Sequence, residues 1–235
     1  ATLELVLTAF VMALVLGTLL GIATAAQWRG AGVLRVFMVG GSSLPVFLTG
    51  AVCIILFYRH LHLLPATGRT SISDAPDAPT GFLMLDGLLA GRLDVVFDAW
   101  QHLVLPAACL AMAPAVAIGR VLRSSLVSSL RSEYVRTARA KGMSEWRIVT
   151  RHALRNSAGP VLAISGLQLA ALFGAELVVE VMFAWPGMGL YTAQAVNKGD
   201  FTSIAGITLV LGALYVLANA IVDVLQAAAD PRIST

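Results

Sequence analysis

Residues Trp100–Gly119 read WQHLVLPAACLAMAPAVAIG and run directly into Arg120–Arg155, RVLRSSLVSSLRSEYVRTARAKGMSEWRIVTRHALR. The first stretch holds no Asp, Glu, Lys or Arg over twenty residues, the length of an apolar helix that crosses a bilayer. The second carries nine of the sixteen basic residues of the chain against only Glu133 and Glu145. An uncharged span that delivers the chain into a strongly basic loop is the pattern of a membrane helix emerging on the cytoplasmic side.

Four more segments have the character of spans: Leu3–Ala26, Val36–Tyr58, Ala158–Ala184 and Ser203–Leu225. Five spans in all predict an all-α integral membrane protein, a single transmembrane domain over residues 1–235 in contact with lipid. Gly17 and Gly21 form a small-xxx-small pair that lets a neighbouring helix approach closely. Pro45, Pro106 and Pro114 fall inside spans, where kinks are expected. Between the second and third spans, residues 59–99 carry Arg59, Arg69 and Arg92 against five aspartates, so this loop belongs outside and 120–157 inside. Its turn-rich half, Pro65–Gly81, is followed by an amphipathic stretch, Phe82–Trp100, suited to the membrane surface. Gln27–Arg35 and the C-terminus then fall inside and Ala1 outside. Ala1-Thr2-Leu3 has no initiator Met or basic leader, and the expectation is a chain that begins within a longer protein.

Composition agrees. Hydrophobic residues make up 58% and charged residues 12% of 235, about half the charge of a soluble domain. The net charge of +3 is concentrated in one loop, which argues against a nucleic-acid partner. Cys53 and Cys109 sit in apolar runs without ligand spacing and read as small hydrophobic residues.

The basic loop is patterned. Leu122, Leu126, Leu130, Tyr134 and Ala138 recur every four residues, predicting that the third span continues beyond the bilayer with one apolar stripe. Gly142 falls where that helix needs a left-handed ending. Ser144 is placed to cap a second short helix with Glu145 at its positive end and Trp146, Val149 and Ala153 on one face. Two helices hinged at a glycine and studded with Arg read as a docking surface, with a solvated positive-inside loop as the alternative that charge alone supports equally.

The wording of this loop, Glu133-Tyr134-Val135-Arg136-Thr137-Ala138-Arg139-Ala140-Lys141-Gly142 and then Arg151-His152-Ala153-Leu154-Arg155-Asn156, resembles the EAA loop of binding-protein-dependent ABC importer permeases. The match is closest to the dipeptide/oligopeptide/nickel branch, in its first-permease type. Thr2-Leu3-Glu4-Leu5, Leu44-Pro45, Leu64–Arg69 (LPATGR), Glu180–Gly189 (EVMFAWPGMG) and Asp230-Pro231-Arg232 continue the likeness in the family's order. Of the family-wide E-A-A-x-x-x-G only Ala138 and Gly142 remain, and I-x-L-P reads His152-Ala153-Leu154-Arg155; both departures look typical of the peptide branch.

The resemblance implies the type I ABC importer permease fold. Branch members have six helices, with a first helix and an outer segment before Thr-Leu-Glu-Leu. It implies a second homologous permease subunit as partner, two cytoplasmic ABC ATPase subunits or domains that bind ATP and Mg, and an extracytoplasmic solute-binding protein. Glu133, Tyr134, Arg136, Thr137, Ala138, Arg139, Lys141, Gly142, Glu145 and Trp146 become the ATPase-coupling residues. The sequence supports this division of labour, since a P-loop needs G-x-x-x-x-G-K-[ST] and Lys141 and Lys198 follow Ala140 and Asn197. The chain is therefore expected to be no enzyme and to need no cofactor of its own. Peptides are the expected cargo, with a nickel chelate, glutathione or haem as runners-up.

Candidates for the translocation pathway are Ser42, Ser43, Gln168, Glu176, Glu180 and Asn219. Carboxylates within a span are costly and usually face a bundle interior or water, so Glu176 is expected to face a water-accessible cavity shared with the partner permease. Glu180 has an alternative, structural reading at the outer interface beside Trp185. Gly40-Gly41-Ser42-Ser43 resembles an intramembrane protease motif, but a serine nucleophile needs a His within hydrogen-bond reach, and His60, His62, His102 and His152 all lie at span ends or beyond. His60-Leu61-His62 is a weak metal candidate, so no metal site is assigned. Inverted repeats and midplane helix breaks, which would favour an ion-coupled carrier, are not evident.

Overall fold

The structure is a computed structural model that describes residues 1–25, 31–41, 44–75 and 80–229. All regular elements among them are helical. In chain order they are α1 (Thr2–Ala25), α2 (Ala31–Gly41), α3 (Val46–Cys53, continuing as π-helical turns over Ile54–His60), α4 (Leu83–Leu89), α5 (Leu93–Leu130), α6 (Glu133–Ala140), α7 (Glu145–Arg147, then π turns over Ile148–Ala153), α8 (Leu154–Asn156), α9 (Ala158–Met182), α10 (Met188–Lys198) and α11 (Phe201–Ala229).

Helices α1, α5, α9 and α11 are long and apolar enough to cross a membrane, matching four of the five expected spans. The second expected span, Val36–Tyr58, is not one helix. Proline has no N–H to donate and disfavours the helical region for the residue before it. Pro45 is accordingly extended (φ −59°, ψ 144°) and opens α3 anew. The resulting apolar helix, Val46–His60, is shorter than the other four. Phe82–Trp100, the amphipathic stretch, is divided between two helices. The chain turns after α4 at Gly91 (φ +69°), and α5 already begins at Leu93.

The chain forms two compact units: Ala1–Met12, Leu44–Ala111 and Ala171–Tyr215 make one; Ala13–Ser43, Met112–Ala170 and Val216–Thr235 the other. In the first, Leu83, Val95 and Ala99 bury a small core with Ile72, Ala75 and Met84 around it. Asp98 fixes the preceding loop by accepting hydrogen bonds from Thr70 Oγ1 (2.6 Å), the Ser71 backbone N–H (2.8 Å) and the Ser71 hydroxyl.

In the second unit the small-residue pair performs the role its spacing suggests. A Cβ on Gly17 would lie 2.7 Å from the Ala115 carbonyl oxygen, and one on Gly21 would lie 2.8 Å from Leu122. Further along, Ala25, Leu122, Leu126 and Ala153 form a core bordered by Ile22, Val127, Leu130, Leu154 and Val161. Gly17→Leu should therefore push the two helices apart, at a cost of about 1–3 kcal/mol or more. The expected result is a severalfold drop in the amount of detergent-extracted, monodisperse protein, and a wild-type yield and melting profile would show that the close approach is dispensable.

Candidate functional site

The basic loop folds as a small structured body. α5 stops at Leu130, where the chain turns: Arg131 N–H donates to Ser128 O, Ser132 N–H to Ser129 O, and the Ser132 hydroxyl also donates to Ser129 O at 2.5 Å. Serine hydroxyls compete in this way with helix continuation. The expected unbroken stripe from Leu122 to Ala138 is thus interrupted at Tyr134, while Ala138 stays buried as the stripe predicts. Tyr134 is 43% exposed, while Val135 is fully buried and packs with Ala138 and Ile148, flanked by Leu130 and Met143.

Gly142 ends α6 as expected. Its φ is +76°, its N–H donates to Arg139 O (2.9 Å), and Met143 N–H reaches back to Ala138 O (3.2 Å). These two bonds, with Met143 packed beside Ala138, are the Schellman arrangement that closes a helix through a left-handed residue. Ser144 occupies the N-cap position of α7, but its hydroxyl makes no capping bond. Glu145 instead turns back across the hinge, accepting from Arg139 Nε (2.6 Å) and Nη2 (3.1 Å). The Arg139 guanidinium holds the Glu145 carboxyl below its usual range. The expected face of Trp146, Val149 and Ala153 also shifts: Ile148 and Ala153 are buried, and Trp146 is 67% exposed.

Of the ten residues assigned to this surface, only Ala138 is buried. Glu133, Tyr134, Arg136, Thr137, Arg139, Lys141, Gly142, Glu145 and Trp146 are all exposed. Glu133 pairs with Arg136 at 2.8 Å. Beside them opens a cleft of about 530 Å³ lined by Tyr134, Arg151, His152, Arg155 and Asn156.

The two acidic residues of α9 have different settings in the other unit. Glu180 accepts hydrogen bonds from Thr2 Oγ1 (2.7 Å), Gly189 N–H (2.7 Å) and Leu190 N–H (3.1 Å). Thr2 Oγ1 in turn accepts Met188 N–H at 2.8 Å. The first three N–H groups of α10, which no helical carbonyl can satisfy, are thereby all partnered. The carboxylate also sits at the positive end of that helix. Glu176 is fully buried, and neither carboxylate oxygen has a hydrogen-bond partner among the described residues. Among the described residues Gly189 lies over the side chain: a Cβ there would meet Glu176 Oε2 at 2.9 Å and the Leu177 Cα at 2.6 Å.

Glu180 thus has the structural setting that was its alternative reading, but no local sequence pattern announced the residues that gather around it. Glu4 accepts from Arg69 Nη2 (2.5 Å) and Met84 N–H (3.2 Å). Arg69 lies 5.7 Å from the Trp185 ring centre, and Gly68 N–H donates to Phe183 O. Stretches that carried the family likeness separately, Thr2-Leu3-Glu4-Leu5, LPATGR and EVMFAWPGMG, meet here. Their shared membership of one likeness was the available signal, and α10 itself was foreshadowed only by Gly187 before it and Gly199 (φ +67°) after it. Of the remaining pathway candidates, Gln168 on α9 and Asn219 on α11 are half-buried in the second unit. Ser42 and Ser43 lie outside the described residues.

A family model described as "Binding-protein-dependent transport system inner membrane component" matches residues 13–235. The probable D,D-dipeptide transport system permease protein DdpB of Escherichia coli (strain K12) is 41% identical over 237 residues, covering 99% of this chain and 69% of that protein. The di/tripeptide transport system permease protein DppB of Pseudomonas aeruginosa is 39% identical, covering 99% and 70%. The glutathione transport system permease protein GsiC of Salmonella choleraesuis is 37% identical, covering 99% and 67%. Among solved structures, the inward-facing MetNI methionine ABC transporter superposes with a TM-score of 0.68 at 16% identity, over 97% of this chain and 91% of that one. At that identity the likeness speaks for the fold.

Proposed function

We propose that this chain, which belongs to the binding-protein-dependent transport system inner membrane component family, forms part of the path by which peptides enter the cell. It is a multi-pass inner-membrane permease subunit of an ABC importer, a transport subunit that works with ATPase and binding-protein components. In the fuller arrangement it pairs with a second homologous permease. Each permease engages one cytoplasmic ATPase subunit or domain, ATP and Mg are held by those ATPases, and an extracytoplasmic protein delivers the solute. The observation that supports peptide cargo best is the 41% and 39% identity, over 99% of the chain, to permeases named for dipeptides and for di- and tripeptides.

Glutathione is the second reading, because a relative named for it is 37% identical; it is itself a tripeptide. Uptake by the assembly reconstituted with its binding protein decides between them. Dipeptide accumulation unaffected by excess glutathione is the expected result. Glutathione accumulation without any for dipeptides or for other tripeptides would replace the first reading by the second.

Sidedness is part of the same proposal, with residues 59–99 outside and 120–157 in the cytoplasm. In a background lacking Cys53 and Cys109, cysteines placed at Ser73 and Ser132 should differ in intact spheroplasts: an impermeant thiol reagent labels the first and spares the second. The reverse pattern would invert the chain.

A further inference from the structure

We propose that the cleft lined by Tyr134, Arg151, His152, Arg155 and Asn156 binds the phosphate head group of an anionic phospholipid of the inner leaflet. The proposal rests on the cytoplasmic placement of residues 120–157. Its first support is a charge imbalance that the fold leaves local. The only two carboxylates of Arg120–Arg155 are already engaged elsewhere, Glu133 with Arg136 and Glu145 with Arg139. Among the described residues neither Arg151 nor Arg155 forms an ion pair, and both are exposed. Among the described residues no carboxylate lines the cleft.

Its second support is the donor set. His152 Nε2 is buried and has no hydrogen-bond partner among the described residues. A neutral imidazole can present an N–H there, as can its cation. Asn156 uses one amide N–H on Ser129 Oγ (3.3 Å), leaving its second available, and Tyr134 adds a phenol. Two guanidinium groups, an imidazole N–H, an amide and a hydroxyl suit the several acceptor oxygens of a phosphodiester.

Depth favours a lipid over a carboxylate from a docked protein. Arg155 and Asn156 lie within three residues of Ala158, where the α9 span begins. Three residues reach at most about 10 Å along an extended chain, so these side chains stand at the head-group layer that borders the hydrocarbon core. Basic pockets at that level on the cytoplasmic side suit acidic lipid head groups. The residues of the hinge, from Arg136 to Trp146, lie farther along the chain from that span.

The test uses the whole transporter assembly, delipidated in detergent and titrated with phosphatidylglycerol or with phosphatidylcholine. Bound lipid and subunit stoichiometry are read together by native mass spectrometry. The combined variant Arg151→Gln/Arg155→Gln should weaken phosphatidylglycerol binding roughly tenfold to thirtyfold, the contribution expected of two basic side chains near an anionic surface. Phosphatidylcholine binding and ATPase stoichiometry should not change, and Arg151→Lys/Arg155→Lys should keep most of the affinity. Unchanged phosphatidylglycerol binding would overturn the proposal. So would loss of ATPase subunits with lipid binding intact, which would give the cleft to a protein carboxylate, or displacement of the lipid by millimolar inorganic phosphate, which would make it a free-anion site. If the combined variant does not assemble, Arg151→Gln alone and His152→Phe give the same comparison. The titration does not depend on sidedness, so an inverted labelling pattern at Ser73 and Ser132 would overturn the topology separately.

Discussion

Gly142→Val should abolish solute uptake while leaving the chain inserted in the membrane and, in the proposed assembly, paired with a second permease. Gly142 holds φ at +76° to close α6 and set the direction of α7. A β-branched residue is strongly disfavoured there, with about 1–2 kcal/mol for the left-handed backbone alone and more for the side chain. If the backbone leaves that region, the bonds of Gly142 N–H to Arg139 O and Met143 N–H to Ala138 O fail together. The Arg139–Glu145 pair across the hinge then loses its geometry. A total near 3 kcal/mol would shift the local equilibrium by more than about a hundredfold toward an open loop. The spans do not depend on those bonds, so insertion should survive.

Ala138→Trp tests the same surface from within. Ala138 is 8% exposed and packs against Val135 and Ile148, so an indole there would burst the core of the loop rather than merely widen a docking gap. Both variants should purify with fewer ATPase subunits per permease pair and lose hydrolysis stimulated by the loaded binding protein. Full ATPase retention with normal stimulation would place the coupling surface elsewhere.

The contrast between this loop and the acidic cluster shows which parts of the structure local sequence patterns can convey. Spans α1, α5, α9 and α11 are legible because each is a long apolar run, and a bilayer demands little more than length and the absence of charge. Gly142 is legible because a left-handed helix ending is a local requirement of a few residues. The apolar stripe through Tyr134 failed because four-residue spacing presumes an unbroken helix. The turns at Arg131 and Ser132 interrupt it, and Val135 is buried in place of Tyr134. Pro45 was visible, but composition alone does not say whether a membrane proline kinks a helix or starts a new one. The setting of Glu180 is the least legible: Thr2 lies 178 residues away in sequence, and α10, whose N–H groups the carboxylate satisfies, follows a turn with no hydrophobic periodicity to announce it.

That setting makes Glu180 the position where one substitution should do most harm to the fold. Glu180→Leu removes the acceptor for Thr2 Oγ1, Gly189 N–H and Leu190 N–H. The side chain is fully buried, and a Cβ on Gly187 would already fall 2.0 Å from Glu180 Oε1, so leucine leaves the donors with no acceptor in its place. Each stranded donor costs about 1–3 kcal/mol, and the start of α10 also loses a group suited to its dipole. A loss of roughly 3–5 kcal/mol is expected, a large share of the stability of an ordinary domain. Glu180→Gln keeps one carbonyl oxygen able to accept two of the three bonds and should cost much less. The measurement is thermal unfolding in detergent together with limited proteolysis. The leucine variant should melt well below wild type and be cut between Ala184 and Gly199, with glutamine intermediate. A residue whose duty was to contact the solute would behave otherwise, with an unchanged melting profile, no new cleavage and altered uptake. That outcome would transfer Glu180 from the framework of α10 to the translocation pathway.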